Sequence, residues 1–258
     1  MNKFNTNNKI IFFKKFLSNK FIFKLLYYTI HANIFFALIQ KIFFKYFRYK
    51  ELLFETNNLN IPFSHYSSFL FKTFEINDRI VLEKFITKIN KCIIIGTGIG
   101  FTASLAYKLS QNKILSFEID RRLKKTIEKN FFLNKVKYTL ILKNLNFDKK
   151  KSKSYFFFQK NFLENSNNKN NGKKIMLDNI YYKNLHLSLY NTIIIDAEGY
   201  EYEIITNIKK LKSIKNIFFE LHPKILTKNQ QNRIFKVLSL AGFTKKINFL
   251  NSYFFRKT

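Results

Sequence analysis

The chain has 258 residues but only one cysteine, two prolines, six glycines and no tryptophan. The single cysteine excludes a disulfide framework within the chain and fits a reducing compartment. Cys92 stands inside an apolar run, so we interpret it as a small buried side chain. A hydrophobic content of 47%, with 18% aromatic residues, is far from that of a disordered chain and predicts a packed core.

Acidic residues are scarce as well, because 16 Asp and Glu stand against 46 Lys and Arg, a formal net charge of +30. Clustered positive charge is typical of proteins that bind nucleic acid or anionic membranes. Here, however, the lysines are spread over the whole length, and the excess of Lys, Asn, Ile, Phe and Tyr is what an AT-rich coding sequence produces. We therefore attribute the charge to composition and predict that nucleic acid is not the partner.

Long apolar runs are also lacking. The longest, residues 25–39, contains His31 and Asn33 and falls short of the roughly 20 residues that a membrane-spanning helix needs. Lysines interrupt the apolar N-terminal stretch, and no small-residue cleavage site follows it. We expect a cytoplasmic protein. The alternative is a protein whose N-terminal helices make peripheral contact with the inner face of the membrane.

The pattern of the chain changes near residue 60. Between residues 10 and 49, apolar residues come in twos and threes with Lys or Arg every three to five positions, which predicts one or two amphipathic helices. Such helices either pack on the rest of the protein or lie on anionic lipid. A polar run at residues 57–60, followed by Pro62, indicates a boundary. We therefore divide the chain into a basic, aromatic-rich helical segment, residues 1–70, and a second domain, residues 71–258.

The second domain alternates short β-rich runs with helical patterns. We predict strands at residues 91–95, 114–118, 138–142, 192–195 and 216–221, and helices at residues 101–109, 121–132, 201–209 and 229–241. Strands separated by helices imply right-handed crossovers and a mainly parallel sheet, hence an α/β fold. Two further regions are interpreted as an inserted hairpin and loop, residues 149–174, and a C-terminal antiparallel hairpin, residues 244–255.

A glycine cluster follows the first of these strands. Gly96, Thr97, Gly98 and Gly100 lie between an apolar strand and a helix, where backbone amides and a helix N-terminus face a ligand without side chains in the way. The dinucleotide pattern G-x-G-x-x-G requires glycine where this chain has Phe101, which disfavours a nicotinamide cofactor. A flexible strand-to-helix turn without a ligand is the alternative.

The next strand ends in an acid. Glu118 stands where a carboxylate accepts hydrogen bonds from the two hydroxyls of a ribose, so the pattern favours a ligand that contains a nucleoside. Asp120 is placed to cap the helix that follows, and we interpret it as the N-cap residue.

Four acids stand within eight residues of this Lys-rich chain. Asp196, Glu198, Glu201 and Glu203 follow a fully apolar strand, so the first two fall at its C-terminal end, where open α/β sheets bind ligands. They indicate a site that handles a cation or a proton. For Glu203, a favourable position in the first turn of a helix is a sufficient explanation.

Five blocks of the sequence resemble the FkbM-type methyltransferases. They are Ile-Gly-Thr-Gly-Ile-Gly-Phe-Thr (95–102), Ser-Phe-Glu-Ile-Asp (116–120), Met-Leu-Asp-Asn (176–179), Ile-Ile-Asp-Ala-Glu-Gly-Tyr-Glu (194–201) and Phe-Phe-Glu-Leu-His-Pro (218–223). Their order and spacing match over roughly the last two thirds of the chain. The family usually has an acid in place of Ile94 and Asn in place of Gly98. The resemblance implies a Rossmann-like class I methyltransferase fold with a seven-stranded sheet, S-adenosylmethionine as cofactor, and O-methylation of a sugar or other small hydroxylated metabolite.

We hypothesise roles for the candidate residues. Glu118 would bind the ribose, and Gly96, Thr97, Gly98 and Gly100 would shape the cofactor pocket together with Asp196. Asp196 and Glu198 would position the acceptor or take its proton. His222, two residues after Glu220, is a further candidate base, with a structural role as the alternative. A metal site from Asp196, Glu198, Glu220 and His222 is another alternative, but the chain has four scattered histidines and no ligand-spacing motif, so we predict no metal.

Two other functions compete with methyl transfer. A nicotinamide-dependent oxidoreductase would need a Tyr-x-x-x-Lys pair, which Tyr181-Tyr182-Lys183 does not supply. A basic module that docks on RNA or on a membrane, with the α/β core as a relic, would bind with steep salt dependence.

Overall fold

The computed structural model describes residues 34–56, 63–158 and 173–258. The helices predicted between residues 10 and 33 lie outside this part of the chain. The described residues form two compact units, one with residues 34–47 and 56–74 and one with residues 48–55 and 75–258. The chain therefore leaves the first unit, returns to it once, and stays in the second unit from Glu75 onward.

Seven α-helices are present in the described residues. They are α1 (Ile34–Phe43), α2 (Ser67–Leu70), α3 (Ile76–Phe85), α4 (Phe101–Ser110), α5 (Lys124–Leu133), α6 (Glu201–Thr206) and α7 (Lys228–Leu240). The strands are β1 (Tyr46–Tyr49), β2 (Leu52–Glu55), β3 (Cys92–Ile95), β4 (Ile114–Phe117), β5 (Tyr138–Ile141), β6 (Asn144–Asn146), β7 (Lys153–Phe158), β8 (Lys173–Tyr181), β9 (Thr192–Ile195), β10 (Asn216–Glu220), β11 (Phe243–Phe249) and β12 (Ser252–Lys257).

A seven-stranded sheet forms the centre of the second unit. Its strand order is β11-β12-β10-β9-β3-β4-β5. The five strands from β10 to β5 pair in parallel, and β12 pairs antiparallel with both β10 and β11. All four residues of β3, β4 and β9 are buried, as expected for parallel strands that are covered on both faces. The predicted mainly parallel sheet with a C-terminal antiparallel hairpin is confirmed.

The strand order reverses direction between β3 and β9. The chain first adds β4 and β5 on one side of β3, and later adds β9 and β10 on the other side. Ligands of open α/β sheets bind outside the carboxyl ends of the strands at such a switch point. The glycine cluster follows β3 and the Asp196 loop follows β9, so both stand at this point.

A three-stranded sheet accompanies the central one. Its order is β6-β8-β7, with β7 antiparallel and β6 parallel to β8. The predicted hairpin in residues 149–174 corresponds to β7 and the start of β8, while residues 159–172 lie outside the described part of the chain. Strand β6 was not predicted, because its three residues, Asn-Leu-Asn, lack the apolar pattern of a strand.

Other elements also differ from the predictions. Residues 46–49 form β1 and do not continue a helix, because the helical residues end at Phe43 and a Tyr-Phe-Arg-Tyr run has high strand propensity. The helix α3 was not predicted, since it buries two charged residues, Asp78 and Arg79, which removes the apolar stripe. The helix predicted at residues 121–132 starts with a short 3-10 turn, in which Asp120 accepts the backbone N–H of Arg122, so its capping role is confirmed.

The first unit has a strongly asymmetric helix. Ala37 and Gln40 of α1 are buried, while Ile34, Phe35, Leu38, Ile42 and Phe43 are exposed by 48% to 72%. Among the described residues, no helix is both long enough and apolar enough to cross a membrane.

Candidate active site

The turn after β3 requires glycine at position 96. Gly96 has φ 84°, and a Cβ atom there would overlap the backbone carbonyl of Asp196. Gly98 has φ 55°, but a Cβ atom there would have no neighbour within 4 Å, so this position faces open space. The amide N–H groups of Gly96 and Thr97 donate to the carbonyl of Phe117, which ties the turn to the end of β4.

Two of the other predicted cofactor residues have structural roles. The hydroxyl of Thr97 donates to the carbonyl of Phe117 at 3.0 Å, and Thr97 is 3% exposed. Gly100, at φ 87°, immediately precedes α4, and a Cβ atom there would lie 2.9 Å from the ring of Phe131. Gly100 therefore permits close packing of helix against helix, which explains its presence without a ligand.

Glu118 is hydrogen-bonded to the glycine turn. Its carboxylate accepts the N–H of Gly98 at 2.8 Å and the N–H of Asp120 at 2.8 Å. The residue is 6% exposed, and burial raises the pKa of its carboxyl to about 7, although the two amide hydrogen bonds oppose this shift. A carboxylate has about four acceptor positions, so acceptor capacity is left for ligand hydroxyls.

One open cavity joins these elements to the loop after β9. It has a volume of about 100 Å³, opens to solvent, and is lined by Gly96, Thr97, Gly98, Glu118, Asp196 and Glu198, among others. The structure therefore brings most of the predicted site residues together on one surface, whereas Gly100 and His222 do not line this cavity.

The loop after β9 is held in an uncommon conformation. Glu198 has φ 46°, which is unfavourable for a non-glycine residue. The buried carboxylate of Glu201 accepts the N–H groups of Ala197 at 3.0 Å and Gly199 at 2.9 Å, so it clamps the loop from the start of α6. This clamping role of Glu201 was not predicted.

His222 packs against the same loop. Its Nδ1 lies 2.9 Å from Oε1 of Glu201, and its Nε2 lies 3.4 Å from Oε2 of Glu198 and 3.6 Å from Oδ1 of Asp196. Burial alone would lower the pKa of His222. The hydrogen bond to Glu201 and the charges of the three carboxylates outweigh that effect and raise the pKa to about 11.

Further acids lie close enough to Asp196 to interact with it electrostatically. Glu75 and Asp78 come from the start of α3, and Glu220 is the last residue of β10. Burial is the main cause that raises the carboxyl pKa of Glu75 to about 8, of Asp78 to about 7 and of Glu198 to about 8, and it also raises the pKa values of Asp196 and Glu220. Thr102 donates to Glu75, and Ser252 donates to Asp78. The site is a local concentration of carboxyl groups in a strongly basic chain.

Glu75 and Asp78 were not predicted as site residues. Both stand in a region with no motif, and they reach the site only because α3 packs beside the carboxyl ends of the central strands, within contact of β10 and β12. Scarcity of acids is the one signal that could have drawn attention to them.

Buried amides form another wall of the cavity. The Nδ2 group of Asn144, a cavity residue, donates at 3.0 Å to Oδ1 of Asn179 and at 3.0 Å to the hydroxyl of Tyr200. The Tyr200 hydroxyl in turn donates to the carbonyl of Leu145 at 3.0 Å. Asn179 belongs to the Met-Leu-Asp-Asn block, so the structure gives that block a role in fixing the cavity wall.

Comparison with known proteins finds solved structures that resemble this one. No protein-family model matches the chain, and no curated protein sequence matches it. A methyltransferase from Pyrococcus furiosus is 15% identical with a TM-score of 0.46, covering 88% of this chain and 96% of that one. The ribosomal protein L11 methylase from Lactobacillus delbrueckii subsp. bulgaricus is 18% identical with a TM-score of 0.41, covering 70% and 77%. The precorrin-6y C5,15-methyltransferase from Geobacter metallireducens is 12% identical with a TM-score of 0.42, covering 69% and 84%.

The fold class rests on the strand order and the parallel core, which are those of a Rossmann-like class I methyltransferase fold, as predicted. The closer resemblance to FkbM-type methyltransferases stays a prediction.

Proposed function

We propose that this protein is an S-adenosylmethionine-dependent methyltransferase that methylates a hydroxyl group of a sugar or another small metabolite. One observation carries the proposal: a single cavity at the switch point of the sheet joins the glycine turn, Glu118 and the acidic loop after β9. The glycine turn, Glu118 and the acidic loop each belong to one of the five sequence blocks that resemble FkbM-type methyltransferases, and they occur in the expected order.

The charge of the cavity suits this cofactor. S-adenosylmethionine carries a sulfonium and an ammonium group, and the cavity is lined by Glu75, Glu118, Asp196 and Glu198. Ionised carboxylates in a partly desolvated site stabilise a cation strongly. In this proposal Glu118 accepts the ribose hydroxyls, and the open space beside Gly98 accommodates the body of the cofactor.

Glu75 compensates for the missing acid at position 94. Ile94 is 1% exposed inside β3, so it makes no polar contact with a ligand. The carboxyl group of Glu75 lines the same cavity from the start of α3. We therefore assign Glu75 the contact to the ammonium group that an acid at position 94 would otherwise provide.

The acidic loop handles the acceptor. When bound, S-adenosylmethionine supplies an electrophilic methyl group on its sulfonium sulfur. Glu198 takes the proton of the acceptor hydroxyl while the new O–CH₃ bond forms and the S–CH₃ bond breaks, and Asp196 orients that hydroxyl. A carboxyl pKa of about 8 makes Glu198 a stronger base than an ordinary carboxylate once it is ionised. His222 holds both carboxylates in place through its ring nitrogen.

The polar wall at Asn144 suits a hydroxylated acceptor. Asn144, Lys143 and the ring of Phe156 line the cavity together. Amides beside an aromatic face are suited to a sugar, because they pair with hydroxyls while the ring covers the apolar face. A saccharide, including one in a cell-surface glycan or a lipid-linked precursor, fits this chemistry.

Calorimetric titration with S-adenosylhomocysteine tests the cofactor assignment. The wild type is expected to bind with micromolar affinity, and Glu118→Ala is expected to lose at least about tenfold, because removal of a hydrogen-bonded carboxylate leaves the ribose unpaired. Glu128→Ala is the matched control, since Glu128 is a half-exposed acid on α5 that pairs with Lys124. No binding by the wild type, or equal binding by both variants, would refute the assignment.

We also propose that α1 touches an anionic membrane surface. Its exposed face carries Ile34, Phe35, Leu38, Ile42 and Phe43, and the chain has a net charge of +30. An amphipathic helix with an apolar face and nearby lysines binds at a lipid interface through both properties. This contact would bring a lipid-linked acceptor close to the enzyme.

Vesicle co-sedimentation tests this contact. The wild type is expected to sediment with phosphatidylserine-containing vesicles and less with pure phosphatidylcholine. The double variant Ile42→Glu, Phe43→Glu should stay in the supernatant. Ile89→Glu is the control, because Ile89 is 77% exposed but lies outside α1. Equal sedimentation of the two variants would argue against α1 as the contact.

A further inference from the structure

Three side chains beside the cavity have the spacing of metal ligands. One oxygen each from Asp196 and Glu220 and one nitrogen of His222 all lie within 4.8 Å of one another. The Nε2 atom of His222 is 3.6 Å from Oδ1 of Asp196 and 3.4 Å from Oε2 of Glu198. With metal–ligand bonds of about 2.1 Å, neighbouring ligand atoms stand about 3.0 Å apart in an octahedral site and about 3.4 Å apart in a tetrahedral one. Small side-chain movements would therefore complete the geometry.

The orientation of His222 is that of a metal ligand. Its Nδ1 is directed at Oε1 of Glu201, a residue that is 0% exposed. The amides of Ala197 and Gly199 hold the same carboxylate in place. The hydrogen bond to Glu201 keeps a proton on Nδ1, and a metal ion that displaces the proton of Nε2 would meet a nitrogen that faces Asp196 and Glu198. Metal-ligating histidines are commonly oriented in this way by a carboxylate on the other ring nitrogen.

The carboxylates of this cluster outnumber the cations beside them. Among residues 34–56, 63–158 and 173–258, no lysine or arginine forms an ion pair with Asp196, Glu198 or Glu220, so the single charge of His222 stands against several carboxylates. Desolvated carboxylates are normally paired or bound to a metal. A divalent cation would supply the missing charge.

We propose that Asp196, Glu220 and His222 bind a divalent transition-metal ion, with Glu198 close enough to act as a fourth ligand. One imidazole with two or three carboxylates suits Mn²⁺ or Zn²⁺ better than Mg²⁺ or Ca²⁺, which prefer all-oxygen sites. Asp196 and Glu198 also line the cavity, so the ion stands at its wall. A role of the ion in binding the acceptor hydroxyl and lowering its pKa rests on the proposed methyl transfer, whereas ion binding itself does not.

Titration of metal-free protein with Mn²⁺ tests the site. The free Mn²⁺ signal in electron paramagnetic resonance disappears on binding, and we expect one site per chain with micromolar affinity. Glu220→Gln and His222→Asn should each weaken binding at least tenfold. Asp178→Asn is the matched control, because Asp178 is a half-exposed acid paired with Arg121 away from this cluster. Absence of binding by the wild type, or equal binding by all three variants, overturns the proposal.

A second measurement needs no variant. Pulsed electron paramagnetic resonance of the wild-type Mn²⁺ complex should show modulation from one directly bound imidazole nitrogen, and its absence overturns the assignment of His222. Titration of the same samples with S-adenosylhomocysteine separates the two proposals. Binding of S-adenosylhomocysteine without binding of Mn²⁺ refutes the metal site alone, and the reverse result refutes the cofactor assignment alone.

Discussion

At the residue scale, the site depends on two close contacts, one between two backbone segments and one between a carboxylate and backbone amides. Gly96 lets the carbonyl of Asp196 pass where a side chain would stand, and this contact joins the loops that follow β3 and β9. Glu201 then holds the second loop through two backbone amides and orients His222. Neither residue has to touch a ligand to be needed for the shape of the cavity.

Replacement of Gly96 should be far more damaging than replacement of Gly98. Both residues have positive φ, which costs an alanine about 1 kcal/mol. Gly96→Ala adds a direct overlap with the Asp196 carbonyl, so we expect a total loss of about 3 kcal/mol or more in the free energy of unfolding. Urea denaturation measures both variants. An equal loss for Gly98→Ala would contradict the close approach at Gly96.

Glu198→Gln should separate chemistry from cofactor binding. Loss of a general base lowers turnover by about 10² to 10⁴-fold, while the ribose contact at Glu118 is untouched. Turnover is measured with an acceptor found by screening sugars, and S-adenosylhomocysteine affinity by calorimetry. Glu203→Gln serves as the control, since Glu203 accepts a hydrogen bond from Asn207 and does not line the cavity. Unchanged turnover in Glu198→Gln would remove Glu198 from the mechanism.

At the element scale, helices are positioned by their first turns. A short 3-10 turn capped by Asp120 precedes α5, and α7 starts with a capping box in which Thr227 and Gln230 bond to each other's backbone. The residue before α3 is Glu75, with φ 47°, so the same backbone bend that starts this helix directs an acid to the cavity. The start of an element can thus serve both the fold and the site.

The capping box of α7 offers a test at this scale. Thr227→Ala removes the acceptor for the N–H of Gln230 and should lower the free energy of unfolding by about 1 kcal/mol. Thr227→Ser keeps the hydroxyl and should remain close to the wild type. Chemical denaturation of the three proteins gives the comparison. Similar losses in both variants would show that the methyl group of Thr227 matters more than the cap.

At the scale of the whole molecule, charge is distributed unevenly. The chain has a net charge of +30, yet carboxyl groups concentrate at the carboxyl ends of the central strands. Burial of these groups opposes their ionisation. Ionised carboxylates at the site therefore destabilise the folded free protein, and a cationic ligand would reduce this destabilisation.

Because ionisation of the buried carboxyl groups destabilises the fold, we predict that the free protein is more stable at pH 6 than at pH 8. Burial raises the pKa of Glu118 from an unfolded value near 4.5 to about 7, so the folded state holds more protons between these values. The contribution of Glu118 to the free energy of unfolding is greatest below about pH 4.5. It is lost as the pH rises through about 7, which lowers the free energy of unfolding by about 1 to 3 kcal/mol. Glu75, with a carboxyl pKa of about 8, adds to the same trend.

Thermal denaturation across this pH range measures the effect. Glu118→Gln should flatten the dependence, because the amide side chain that it introduces stays neutral at every pH. High salt serves as a control for repulsion among the many surface lysines, which acts in the opposite direction. A melting temperature that rises from pH 6 to pH 8 in wild type and variant alike would contradict the burial of Glu118.

The sequence by itself determined the α/β class, the parallel core and the two loops of the site. Runs such as Cys92–Ile95 and Thr192–Ile195 encode buried strands locally, and the residues that follow them must stand at the carboxyl ends of those strands. Only the tertiary structure decided which acids join them. Glu75 and Asp78 come from a helix without a motif, and Glu220 meets His222 and Asp196 across two strands. Contacts between distant segments depend on packing and register, and local patterns do not contain that information.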